Sequence, residues 1–422
     1  DIKGGFGDFK DADTLAFDVR ITGRDLQLIG SLFELEWPPI GPVTLESHIK
    51  QKGESNTFDT TLTAGKTHLD MEITSFLHTS PPHISGKITA QEFFFFDLLD
   101  KKKESSEEKP PKKDHVFSRT PMDWSWLKKN DLDFSIIVES FDKERSRLES
   151  ARFEILLKAG HLSVSPAELV YPKGKLELDV KLDVQEKPQF SLKAFGEDLN
   201  SRTVLDMDQA KKGSDFDAEL DMDMKLMSSG VSAHELAANL EGDIYVLLKN
   251  GKIRNNLLNL IFVDVVGWTF NKALGSKYAK IECGVADYTV KQGVINTNAL
   301  YLDTPNIAIA GEWTVDLGNE TIDYTFFPKK KTKLIHSADP VKIGGTLSDP
   351  SVSVIPLKTA ATKYGTLFFA PYLFVGIFAA ELATDTLQIK TSKSPCTEYE
   401  KKHTKDQQKS VEKPKPESPA PD

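Results

Sequence analysis

The sequence predicts a mainly β protein: an elongated, curled antiparallel sheet of meander repeats, forming a β-groove, with a few short apolar helices. Three observations lead there: apolar–polar alternation, a recurring three-strand unit, and two apolar runs too short to span a membrane. The alternation is cleanest in DFDAELDMDMKLM, Asp215–Met227. Phe216, Ala218, Leu220, Met222 and Met224 fall on one side, and Asp215, Asp217, Glu219, Asp221, Asp223 and Lys225 on the other. A period of two gives one dry face and one wet face. GKLELDVKLDV (Gly174–Val184) repeats the habit, and NIAIAGEWTVDL (Asn306–Leu317) does so less regularly.

The repeat unit begins at Leu62, again at Leu169 and again at Leu300. Each copy runs strand, Gly- or Pro-containing turn, strand, polar turn, strand, which is a meander. Recurrence of one such unit suggests an extended sheet, although a β-sandwich also alternates strands and turns. The apolar runs are LLNLIFVDVVGWTF (Leu257–Phe270) and TLFFAPYLFVGIFAA (Thr366–Ala380), the second interrupted by Pro371. As a helix the first reaches only about 21 Å against a hydrocarbon core of ~30 Å. Both read as helices packed on an apolar sheet face. For the second a membrane-interface role stays open, with Lys358 and Lys363 the basic residues upstream.

Composition bounds the rest. The 422 residues allow two or three domains. The chain starts at Asp1 rather than Met, so it reads as a fragment or processed form lacking any N-terminal anchor or signal. The organisation expected is a β-repeat segment over 1–100, a charged flexible linker over 101–118, and a second β region over 119–355 with an inserted helix at 255–275. An apolar helical segment over 356–390 and a disordered tail over 391–422 complete the chain. A net charge of -10 argues against nucleic acid as a partner. Twenty-five Phe against 9 Tyr and 5 Trp suits either apolar surface held away from water or a large core. Cys283 and Cys396 could pair in an oxidising compartment or be two free thiols.

The chain carries no nucleophile elbow, P-loop, HExxH or dinucleotide fingerprint, so no enzyme, cofactor or metal is expected. His234-Glu235 opens like a zinc motif but lacks the second His. Asp221 and Asp223 form a D-x-D that reads as a solvated strand face. His68 and His83 could sit across paired strands, but two ligands do not make a site. Lys329, Lys330, Lys331 and Lys333 come after Phe326, Phe327 and Pro328. That cluster is either a solvated loop or a contact for anionic headgroups.

In the C-terminal third, VSAHELAANLEGDIYVLLKNGKI (Val231–Ile253) gives a short helix, a strand and a D/N-G-x-I turn, and with the motifs that follow it resembles the AsmA family. Cys283, Val285-Ala286-Asp287-Tyr288 and Gly293 fit the family pattern, as do Leu302-Asp303-Thr304-Pro305, Gly311, Val315-Asp316-Leu317-Gly318, Glu320 and Asp323. So do Pro340-Val341 and Gly344-Gly345-Thr346-Leu347-Ser348-Asp349-Pro350. Residues 1–100, and MDWSWLKKNDLDFSIIVESF (Met122–Phe141), resemble earlier AsmA segments. The charged linker and the long Lys-rich tail depart from the pattern.

The resemblance implies a protein of the Gram-negative periplasm, anchored to the inner membrane by a segment this chain lacks and involved in outer-membrane biogenesis. Larger relatives look like bridge-like lipid-transport proteins. The partners implied are phospholipids, with outer-membrane assembly proteins as the second class. The groove lining would then be Leu176, Leu178, Val180, Phe216, Leu220, Met222, Ile307 and Ile309, each of which could equally be plain core. Membrane or headgroup contacts would come from Phe326, Phe327, Lys329, Lys330, Lys331, Phe368 and Phe369. The resemblance also favours a Cys283–Cys396 disulfide pinning the start of the tail to the sheet.

Overall fold

The computed structural model describes residues 2–5, 14–31, 39–94, 115–143, 146–205, 216–254, 278–305, 307–330, 340–356 and 396. The expected helices at 255–275 and 356–390, together with Lys331, Phe368 and Phe369, lie outside them, as does all of the tail except Cys396. Among the described residues 19 strands join in one open, curled sheet. In chain order they are β1 (Ile2–Gly5), β2 (Thr14–Gly23), β3 (Val43–Lys52), β4 (Ser55–Ala64), β5 (Thr67–Phe76), β6 (His83–Ala90), β7 (Asp131–Val138), β8 (Ser150–Lys158), β9 (His161–Val170) and β10 (Lys175–Asp183). Then come β11 (Gln189–Asn200), β12 (Phe216–Ser229), β13 (Glu241–Arg254), β14 (Tyr278–Lys291), β15 (Val294–Asp303), β16 (Ile307–Asp316), β17 (Thr321–Lys330), β18 (Val341–Thr346) and β19 (Pro350–Val354). Each strand pairs with the next in sequence. The pairs are antiparallel except β6 with β7, which is parallel.

Local chemistry explains the meander. β8 turns into β9 through Ala159 and Gly160, with φ of 49° and 80°; β14 turns into β15 through Gln292 and Gly293, at 49° and 73°. Two left-handed residues in a row make the tight turn whose twist matches a hairpin. Pro166 sits inside β9, where a missing N–H would normally break a ladder. It is tolerated because the register shifts there against both neighbours, β8 and β10. The three repeat units read from the sequence are β4–β6, β9–β11 and β15–β17.

Register carries the alternation across the sheet. Leu62 pairs with Leu69, and the row continues through Ala90, Val138, Ala151, Leu169, Leu176, Gly196, Met222, Val246 and Ala286 to Leu300. Every member is apolar or glycine, from β4 to β15. The opposite face is wet and laced with ion pairs such as Arg20–Glu46 at 3.2 Å, Lys249–Asp221 at 2.7 Å and Lys342–Asp323 at 2.8 Å. The D-x-D of β12 therefore belongs to a charged strand face: Asp221 pairs with Lys249, and Asp223 with Lys225.

A parallel pair forces the chain to cross back before it can start β7. The segments read as separate regions, 1–100 and 119–355, thereby share one sheet. The described end of the crossover, from His115, runs along the rim that carries the short hairpin turns. The Val116 and Phe117 N–H groups donate to the Glu320 carboxylate at 2.6 and 3.3 Å. Pro121 bridges to Ser232, and Met122 N donates to Val231 O at 2.8 Å. After the one-turn helix α1 (Ser125–Lys128), Lys128 Nζ donates to Gln185 O, and Asp131 accepts from Ala159 N at 2.8 Å. Residues 115–118, expected as linker, are thus docked on the sheet, and with residues 119–131 they fasten four of its turns. Glu320 is 3% exposed.

The short helix expected after Val231 is α2 (Ala233–Ala238). Ser232 caps it by accepting from Glu235 N at 3.2 Å, and the Glu235 carboxylate accepts from Val231 N. His234 contacts Gly318 O at 3.0 Å, which is a structural role at the rim.

Cys283 and Cys396 form the expected disulfide, with a sequence separation of 113. It lies on the otherwise wet face. There Tyr245, Leu247, Val285, Ala299, Tyr301 and Ala308 make a small second core with the two sulfurs.

The disulfide and the Glu320 clasp each carry a testable consequence. Cross-linking so long a loop stabilises by roughly 2–4 kcal/mol in the chain-entropy account. Cys283→Ser should therefore lower the thermal midpoint by several degrees, and reduction of the native chain should match it in calorimetry. Burial pushes the Glu320 carboxyl up, but the Val116 and Phe117 N–H donors, with His115 and His234 nearby, hold it below its ordinary value of 4.5. A depressed folded pKa gives stability that is present above the ordinary value and lost as pH falls through the folded one. Glu320→Gln should therefore cost about 1–3 kcal/mol at neutral pH and flatten the loss on acidification, read as denaturation midpoints on either side of 4.5. An unchanged acid slope would count against the clasp.

Candidate functional site

The apolar face itself is the candidate site. A filled core would bury its large side chains, but here most of them stop halfway. Leu45, Ile49, Phe58, Met71, Ile73, Ile88, Phe134, Phe153 and Ile155 are half-buried along β3–β8, and Val164, Val180, Leu182, Met222, Met224, Ile244 and Val246 continue the pattern along β9–β13. Phe17 of β2 and Val352 of β19 are exposed. Each half-exposed side chain leaves on the order of 1 kcal/mol of burial unrealised. At ~4.8 Å per strand the face runs for roughly 85 Å.

The sequence-predicted lining residues share this face but differ in depth. Leu176 and Leu220 are buried in a cluster with Ala90, Val138, Ala194 and Leu199. Ile309 is buried with Ile281 and Val341. Leu178, Val180, Phe216 and Met222 are half-buried and line the open surface. Ile307 stands two residues from Ile309 on β16, in register with Lys330.

Phe327 needs correcting as a surface contact. It follows Phe326 on β17, and the two point to opposite faces. Phe326 packs on the Ile309–Val341 cluster, while Phe327 is 4% exposed and buried on the other face. Lys329 and Lys330 belong to the end of β17, not to a loop.

The same face holds an aromatic group that the sequence pattern does not announce. Trp313 of β16 stands opposite Tyr324 of β17, with ring centroids 5.2 Å apart. Tyr288 of β14 meets Trp313 edge-on at 5.1 Å. The link spans β15 because the ladder is irregular there. Trp313 N donates to Thr297 Oγ1 at 2.8 Å, and that hydroxyl donates back to Trp313 O at 2.9 Å. Burial pushes both phenols up, so both stay neutral. No sequence signal joins these three residues; only register does.

On the wet side, a shallow depression of about 1080 Å³ crosses the ends of β8–β12. It mixes Leu156 and Met227 with Lys158, His161, Lys181, Asp183 and Glu241. Among the described residues no three His, Cys, Asp or Glu side chains gather as a metal site. Among the same residues no helix is long and apolar enough to cross a membrane.

Among the described residues, an open meander with one dry face and one charged face defines the class: an extended β-sheet protein that presents apolar side chains on one face. The more particular likeness is to the AsmA family, whose model matches residues 99–300. That stretch takes in the crossover and β7–β14, with part of β15. The Leu302–Pro305 and Gly344–Pro350 motifs lie beyond it. The Escherichia coli K12 AsmA family protein YhjG is similar, 24% identical over 233 residues. The aligned stretch is 54% of this chain and 32% of YhjG, so the chain spans about a third of that relative. No solved structure matches.

Proposed function

We propose that the apolar face binds the acyl chains of phospholipids and supports their movement between the inner and outer membranes. One observation carries this reading: large apolar side chains of the dry face stay half-exposed on strand after strand from β3 to β13, with buried clusters between them. An acyl chain in water needs continuous cover worth ~0.8 kcal/mol per CH₂, and a sheet of alternating strands supplies that cover on one side. The reading places the chain in the periplasm, anchored to the inner membrane, as a binding protein rather than an enzyme. The disulfide fits an oxidising compartment, and the likeness to the AsmA family supports the setting. A second reading is a factor for outer-membrane protein assembly. It draws on the open edge at β19, where Pro350–Ser353 are exposed and could template a partner strand.

The test is lipid mass spectrometry on the full chain purified from a bacterial host under native conditions. Variants belong at half-buried positions, since a charge at buried Leu220 would break the cluster it packs in. Phospholipid should co-purify with the native chain and with the wet-face variant Lys193→Glu. It should fall roughly tenfold with Val180→Glu or Met222→Glu, since a charge buried in an apolar contact costs more than the ~1.4 kcal/mol that a decade represents. A folded, lipid-free native chain would overturn the reading in favour of the edge-templating one.

A further inference from the structure

The apolar face is not uniformly apolar. At Tyr288, Trp313 and Tyr324 it carries three side chains that can donate a hydrogen bond. Both tyrosines are 8% exposed, and the Trp313 Nε1 is buried with no hydrogen-bond partner among the described residues. A buried donor without an acceptor is costly and uncommon, and it asks for an explanation. Among the described residues the neighbours on this face give no charge to match: Val290, Val315, Ile322 and Ile343 stand around the aromatic group, and Lys342 points to the other side, where it pairs with Asp323. A phosphate here would be an unpaired buried charge. A neutral acceptor fits neutral donors.

We propose that the Tyr288–Trp313–Tyr324 cluster receives the ester carbonyl oxygen of a glycerolipid whose acyl chains lie along the apolar face. The cluster marks a station at which the polar end of the lipid is held, between stretches of the face that touch hydrocarbon alone. Ester-linked lipids are then preferred at this point over ether-linked lipids of equal chain length, which have the same tails and no carbonyl. The inference rests on the acyl-chain reading above and adds a position and a chemical selectivity to it.

The experiment uses the full chain with a photo-crosslinking phenylalanine in place of Ile343, the register partner of Tyr324. A second version carries it in place of Phe58, on the same face at the far end of the sheet. Each is incubated with vesicles of dioleoyl phosphatidylglycerol or of its dialkyl ether analogue, and lipid adducts are measured. The expected result is adducts at both positions, with a roughly fivefold preference for the diacyl lipid at Ile343 alone, the size of one net hydrogen bond. Trp313→Phe, Tyr288→Phe and Tyr324→Phe should each reduce that preference and leave the Phe58 position unchanged. The ester–ether comparison needs no substitution in the cluster, so it stands even if one of these variants fails to fold. Equal capture of the two lipids at Ile343, with adducts at both positions, overturns the carbonyl station and leaves the acyl-chain reading in place. No adduct at either position overturns both.

Discussion

Everything in this molecule depends on phase. A strand sends alternate side chains to opposite faces, so a slip of one residue at any pairing would put one strand's dry residues among its neighbours' charges. The row from Leu62 to Leu300 shows that no such slip occurs across twelve strands. Where residues are added, the irregularities preserve the phase. In β9 the two residues between Val164 and Ala167 let both keep to the dry side. Similar shifts lie between β11 and β12, β12 and β13, and β15 and β16. The bulges are therefore the means by which a long sheet curls without mixing its faces.

The charged face contributes in a different way. Its pairs lie within one strand or between neighbouring strands and are partly exposed, so each adds little stability alone. The effect of the cross-strand pairs is on register, because shifting one strand would set like charges side by side. The dry face thus supplies affinity for apolar matter and the wet face supplies alignment. The second small core, around Cys283 and Cys396, is the exception: there the wet face turns apolar to receive a covalently tethered part of the chain.

Much of this is legible in the sequence. The alternation at Asp215–Met227 yields β12 with the correct side inward, and the three repeat units appear as three-strand meanders. Tight left-handed turns can be read from Gly at 65, 160 and 293. The hidden features involve pairing at a distance. Nothing local announces that β6 and β7 run parallel, because the partners are separated by the crossover. Glu320 reads as an ordinary polar turn residue, since its donors, Val116 and Phe117, lie about two hundred residues away. Phe326 and Phe327 differ, because the clue is local. Side by side in the sequence they look like one apolar contact, yet the period of two that rules every neighbouring strand already divides them between the faces. Trp313 and Tyr324 each look like routine strand aromatics until register sets them opposite one another.

The parallel pair has a mechanical consequence. By resetting strand direction at β7, it puts the turns after β3 and β5 on the same edge as those after β8, β10, β12, β14 and β16, and the docked crossover fastens several of those turns together. Apart from the crossover itself, the longest connections, over 24–42, 201–215 and 255–277, fall on the opposite edge. The molecule is built like a book stitched along its spine, and a change of length in any of these three connections leaves the stitching in place.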